Sequence, residues 1–365
     1  MFSKNDINTG RQVEFDYLKG LFIPMIRLIH AFQMLGGAKV PAYRITYIIA
    51  TMTGAAIFIF VLGFGSVYSR KDCKGLAMAG VRLIVMEFVW NALALTLPML
   101  LGQLLRMITG HEPLWALTWM QAPMMLQYIN VFFIAGVCYL VLALLKFFDT
   151  PAVVYLGLAV LLFVVDPFLY MNGKTTGNCV LDYILTTFVG GRAAVSLNFI
   201  ALLPHALLGV GFGKILRKTE NKGRLYGILS IPLIIIVAVY FIHAFNTYPG
   251  LDALYNYSGM GYIYPDILRA FANAASVLLF AGSLYALRNI IGRCKFLHNA
   301  LIHLNRNNTP YYAIHPFWYG IIFATAGYTS FSAKLCTVMA VVVWGLCFVT
   351  ITVWNRCKKR NGTTL

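Results

Sequence analysis

The chain has 365 residues, of which 60% are hydrophobic and 11% charged, with a mean hydropathy of +0.74 and a formal net charge of +17. Soluble domains average roughly 45–50% apolar and about 25% charged residues, so this composition cannot cover a water-facing surface, and disorder is excluded with it. Seven scattered cysteines exclude a small secreted disulfide scaffold.

A membrane-spanning helix needs about 20 mostly apolar residues. Ten segments qualify, at approximately 15–35, 43–66, 77–105, 118–146, 151–170, 195–216, 225–244, 266–290, 311–328 and 334–354. A further apolar stretch at 179–191 is too short to span and is expected at an interface or as a re-entrant segment. The expectation is an all-α polytopic membrane protein, a bundle of about ten transmembrane helices. It forms one domain over 1–365, with short basic tails at about 1–13 and 355–365.

The basic residues sit in short clusters between the apolar runs, which reads as the positive-inside rule rather than as a nucleic-acid face. With the N-terminus in the cytoplasm, Arg70, Lys71, Lys74, Lys214, Arg217, Lys218, Lys222, Arg224 and the Arg356–Arg360 tail all fall inside. The outer loops then keep only Lys39, Arg44, Arg106, Lys174 and Lys334. Both termini are expected in the cytoplasm. Only Cys179 faces outward in this topology, and no Cys or His spacing suggests a metal site.

Charge inside a bilayer costs about 2.5–3.5 kcal/mol per residue on insertion scales and marks function by default. The first helix carries the most: Asp16, Lys19, Arg27 and His30. Eleven steps of about 100° bring His30 to within about 20° of Lys19, so the two share one helix face, about 16 Å apart along the axis. Two readings stay open. One is a buried polar network, with Asp16 paired to Lys19 and Arg27 to Glu87. The other is a line running from an anion-binding Lys19 at the inner surface to His30 as a proton acceptor deeper in. Arg82, Glu87 and Asn91 in the third helix, Asp166, His205, Arg269 and His315 are further polar groups at membrane depth. Each has a bland alternative: a hydrogen bond or ion pair to a neighbouring helix.

The pattern Asp16-x-x-Lys19-Gly20, with ten residues between Lys19 and His30, resembles the first-helix signature of the integral-membrane acyltransferase-3 family. Asn308-Thr309-Pro310-Tyr311-Tyr312-Ala313-Ile314-His315-Pro316 is similar to a second family element near the C-terminus. Pro204 through Gly209 to Gly213 resembles a third, which is shared with heparan-glucosaminide N-acetyltransferase-like proteins. Lys19 stands where the family has Arg; it keeps the charge but lacks the planar fork.

The resemblance implies transfer of an acyl group, usually acetyl, from cytoplasmic acyl-CoA. The acceptor would be a hydroxyl of an extracytoplasmic or membrane-presented molecule such as a cell-surface carbohydrate. No permanently bound cofactor is expected, and the expected setting is a bacterial plasma membrane. The resemblance makes His30 the general base, with Glu87 holding its imidazole or pairing Arg27. Lys19, Arg82, Asn308 and His315 would bind the donor, and Arg27, Asn91 and Arg269 the acceptor or the developing oxyanion. The competing readings are a transporter or flippase without acyl transfer, and an N-acetyltransferase of the heparan-glucosaminide type. A tyrosine-rich outer loop at 245–265 suits either an interfacial aromatic belt or a sugar-stacking lid.

Overall fold

Long apolar runs in lipid must satisfy their backbone internally, and the α-helix does so within one segment. The computed structural model of the protein describes residues 2–36, 41–110, 126, 128–171, 176–189, 197–250, 253–255, 266–326 and 331–360. The main helices are α1 (Val13–Ala31), α2 (Pro41–Tyr68), α3 (Cys73–Asn91), α4 (Leu97–Thr109), α5 (Val131–Phe147), α6 (Ala152–Met171) and α7 (Cys179–Val189). After these come α8 (Phe199–Lys218), α9 (Lys222–Thr247), α10 (Ile267–Arg293), α11 (Lys295–Arg306), α12 (Asn308–Ala326) and α13 (Ala333–Arg360). Among the described residues the extended backbone amounts to an isolated bridge between Phe2 and Thr219.

Among the described residues eight helices are long and apolar enough to cross a membrane, which makes the chain an all-α, multi-pass integral membrane protein. The longest, Cys73–Thr109, has 37 residues and joins α3 to α4 through a π-helical turn at Ala92–Thr96, with Pro98 in the first turn of α4. A second π turn, Phe32–Gly36, ends α1. The expected fourth span is a helix only over Val131–Phe147, 17 residues long, and residues 118–125 lie outside the described residues. The expected ninth span is helical over Asn308–Ala326 but does not belong to the eight apolar helices. The 179–191 stretch forms the 11-residue α7, too short to span. Most of the tyrosine-rich outer loop lies outside the described residues.

The helices group into two compact units. One comprises residues 1–18, 47–87 and 129–298, the other 19–46, 88–128 and 299–365. In the first, α8 packs on α5 and α6 around Ile134, Cys138, Tyr155, Ala159, Leu202, Ala206 and Leu207. Glycine sets how near α2 comes: a Cβ on Gly63 would lie 1.9 Å from the Ala206 carbonyl oxygen, and one on Gly209 2.0 Å from that of Phe60. Gly209 and Gly213, four residues apart, are the small-residue pairing by which membrane helices approach backbone to backbone. In the second unit α12 packs on α4 and α13, and both π turns lie against it. Gly20 allows α1 to reach α11, since a Cβ there would lie 2.4 Å from the Leu301 carbonyl oxygen.

Candidate functional site

The second unit brings two of the sequence-selected histidines together. His30, on the last turn of α1, and His315, in α12, stack with ring centroids 4.9 Å apart and planes 23° apart, and His30 Nδ1 lies 2.7 Å from His315 Nε2. His315 Nδ1 lies 3.0 Å from the carbonyl oxygen of Tyr311. A carbonyl can only accept, so His315 carries its proton on Nδ1 and, being neutral, presents a lone pair at Nε2. His30 must then donate from Nδ1, which leaves the lone pair on its own Nε2. The chain of hydrogen bonds thus leaves Nε2 as the His30 nitrogen that can take a proton. His315 is buried, at 1% exposure, while His30 is half-buried.

Arg27 lies one helical turn before His30, and its side chain is 2% exposed. Its guanidinium carbon is 4.3 Å from the centre of the Tyr311 ring and 5.6 Å from that of Trp344, a cation–π arrangement that stabilises the charge without spending its N–H groups. None of its three guanidinium nitrogens has a hydrogen-bond partner among the described residues. The Tyr319 hydroxyl donates to the Arg27 carbonyl oxygen at 2.8 Å and fixes the backbone there. A buried cation with its donors unspent is costly to keep and is suited to meeting negative charge that arrives or develops.

The other selected residues divide. Lys19 is half-buried on the same α1 face, and Asn308 opens α12, with Pro310 in that helix's first turn. Asn91 corrects an expectation: its Nδ2 donates to the carbonyl oxygens of Leu126, at 3.0 Å, and Tyr128, at 2.7 Å, so both donors are spent on holding backbone and none is left for an oxyanion. Glu87 belongs to the first unit, where its Oε2 accepts from the Phe133 N–H at 3.1 Å in the first turn of α5. A carboxylate there meets a helix N-terminus, a capping role, while the partner of His30 Nδ1 is His315. Arg82 is exposed on α3 beside exposed Val81 and Val85, on an apolar face of the helix. Arg269 is buried at the start of α10, its N–H capped by the Asp266 side chain at 3.0 Å. Asp16 takes Arg11 as an ion partner.

Tyr311, Tyr319 and Trp344 belong to the site; Tyr311 lies within the second family-like element, while Tyr319 and Trp344 carry no signal in the sequence beyond their apolar surroundings. The π turns escape periodicity altogether, yet each follows a selected polar residue, Phe32–Gly36 after His30 and Ala92–Thr96 after Asn91. Such turns recur at functional sites because they re-aim side chains within a helix. In the first unit Glu14, fully buried in α1, meets Lys222 Nζ at 3.2 Å and the Tyr226 hydroxyl at 3.3 Å, an ion pair hidden in what reads as a helix entry. Among the described residues no group of three or more His, Cys, Asp or Glu side chains could hold a metal ion. Comparison with family models, with curated proteins and with solved structures returns no match to this chain.

Proposed function

We propose that the protein is a membrane-bound acyltransferase that moves an acyl group, acetyl in the simplest case, from cytoplasmic acyl-CoA to a hydroxyl of a membrane-presented or extracytoplasmic acceptor. It would have ten spans and both termini in the cytoplasm, in a plasma membrane of bacterial type. The observation that carries the reading is the His30–His315 pair, oriented so that the free lone pair belongs to His30, with the unspent Arg27 guanidinium one turn away. The first-helix resemblance supplies the reaction class. Carbohydrate is the acceptor class that the resemblance favours.

In this reading Lys19 attracts the anionic donor at the inner surface, with Asn308 beside the start of α12. His30 Nε2 takes the acceptor hydroxyl's proton as that oxygen bonds to the thioester carbonyl carbon. Arg27 meets the negative charge that builds on the carbonyl oxygen. Collapse breaks the carbon–sulfur bond, and the proton leaves His30 for the departing CoA thiolate. His315 keeps the base in its productive tautomer and shares the positive charge of the transient imidazolium.

The test is transfer of label from acetyl-CoA by the purified, reconstituted protein supplied with membranes carrying candidate acceptors. CoA release and acceptor labelling are expected, and His30→Ala should lower the rate about 10²–10⁴-fold while thermal unfolding stays unchanged. An unchanged rate in a folded His30→Ala protein sinks the base assignment. No CoA release by the wild-type protein leaves the transporter reading in its place.

A further inference from the structure

Within the first unit, a cavity of about 700 Å³ opens where the last turn of α5, the first turn of α6 and the last turns of α8 meet the N-terminal segment. Four cations line it, Lys146, Lys214, Arg217 and Lys218, against two carboxylates, Asp6 and Asp149. Asp6 is spent on Arg217, its Oδ2 lying 2.7 Å from Nη2. Lys214 donates to the Thr150 carbonyl oxygen and lies 5.3 Å from the Tyr155 ring centre, so it is held in place without a carboxylate contact. Lys146 donates to the Lys71 carbonyl oxygen at 2.6 Å, and both Lys146 and Lys218 are exposed. Three ammonium groups therefore face the cavity with Asp149 as the remaining carboxylate among the described lining residues.

The negative end of α8 does not neutralise them. Its last carbonyls are occupied by the N-terminal segment: the Ser3 N–H donates to Lys218 and those of Ile7 and Asn8 to Arg217, at 2.7–2.9 Å. The first turn of α6 lines the same cavity and adds its positive helix end. Beside it, Phe147, Phe148 and Val153 are 70%, 67% and 70% exposed. Cations gathered around a cavity between helix ends, next to exposed apolar side chains, match a molecule with an anionic head and hydrocarbon tails. By the charge distribution of the loops, this end of the helices is the cytoplasmic one.

We propose that this cavity binds the phosphate headgroup of an anionic phospholipid, with the acyl chains lying along Phe147, Phe148 and Val153. Basic pockets between helices on the cytoplasmic side take such headgroups, each Lys or Arg adding to the attraction. The assignment does not rest on acyl transfer.

The test titrates full-length detergent-solubilised protein with phosphatidylglycerol, with phosphatidylcholine and with inorganic phosphate, reading bound lipid by native mass spectrometry and stability by thermal unfolding. Phosphatidylglycerol should bind and stabilise, phosphatidylcholine far less, and inorganic phosphate should compete only weakly. The double variant Lys146→Gln/Lys218→Gln should bind phosphatidylglycerol about twentyfold more weakly, and Lys146→Arg/Lys218→Arg should restore binding. If the Gln pair fails to fold, Lys218→Glu alone, at an exposed side chain, should weaken binding in the same direction. A control pair at another basic cluster, Arg293→Gln/Lys295→Gln, should stay within about twofold of wild type. Equal weakening by both Gln pairs means diffuse surface attraction and overturns the site. Equal affinity for phosphatidylcholine, or inorganic phosphate binding as tightly as the lipid, overturns the lipid assignment.

Discussion

His315 meets His30 through one hydrogen bond and a ring contact, and a substitution can remove the first while keeping the second. In His315→Phe the ring volume stays but the acceptor at 2.7 Å from His30 Nδ1 is gone, and His30 is free to hold its proton on either nitrogen. We expect kcat to fall about 10–100-fold with little change in KM for acyl-CoA, and His315→Gln, whose amide oxygen can accept, to recover part of the loss. A purely structural histidine would lower the unfolding temperature and leave kcat per folded molecule intact. Lys19→Glu should do the reverse, raising KM for acyl-CoA more than KM for the acceptor; equal effects on both would remove Lys19 from the donor path. The α1 stripe of Lys19, Arg27 and His30 was legible in sequence because a 3.6-residue period aligns them. The backbone partners of Asn91 and Glu87 were not legible in sequence, for a physical reason. A polar residue at membrane depth signals that something needs a partner, and the sequence does not say that the something is backbone. Here it is the carbonyls of Leu126 and Tyr128 and the N–H of Phe133.

At the scale of elements, Glu87 joins two helices by lending the N-terminus of α5 an acceptor that its own sequence lacks, since Asn130 already serves the Val131 N–H at 2.7 Å. Glu87→Ala should cost about 0.5–2 kcal/mol, the range of a lost helix cap, while Glu87→Gln keeps an acceptor and should stay near wild type in stability and in transfer rate. Thermal unfolding in detergent and the acetyl-CoA assay read the two; loss of activity in a stable Glu87→Gln protein would return the residue to the chemistry. Gly209→Val tests the other element-scale device. Its Cβ would sit 2.0 Å from the Phe60 carbonyl oxygen, a backbone atom that cannot swing aside, so α2 and α8 must separate. Overpacking of this kind costs about 1–3 kcal/mol. The glycine spacing was visible in the sequence, but its partner helix was not, because small residues specify close approach without specifying to what. The two π turns were invisible for a different reason: inserting a residue into a helical turn leaves the apolar content of the segment unchanged.

For the whole molecule, hydropathy gives the long helices and their order, because the bilayer imposes one length scale on all of them. It is ambiguous at α5, which has only 17 residues, and at α12, whose His315 and Asn308 dilute an otherwise apolar helix. Eight spans or ten depends on whether these two cross, and cysteine parity can decide each separately. Cys294 and Cys357 are exposed, at the end of α10 and near the end of α13. Ten spans put two crossings between them, α12 and α13, so single-cysteine proteins retaining either residue should react with a membrane-impermeant maleimide from the same side. If α12 does not cross, they react from opposite sides. Cys73, at the start of α3, and Cys294 are separated by six crossings if α5 spans and by five if it does not, so their sidedness reports on α5 alone. On the loop charges we expect that side to be the cytoplasmic one, with inside-out vesicles the reactive preparation and sealed right-side-out vesicles the protected one. Labelling of all three cysteines in inside-out vesicles is the outcome that ten spans demand; a split between Cys294 and Cys357 would take α12, and with it His315, out of the set of crossing helices.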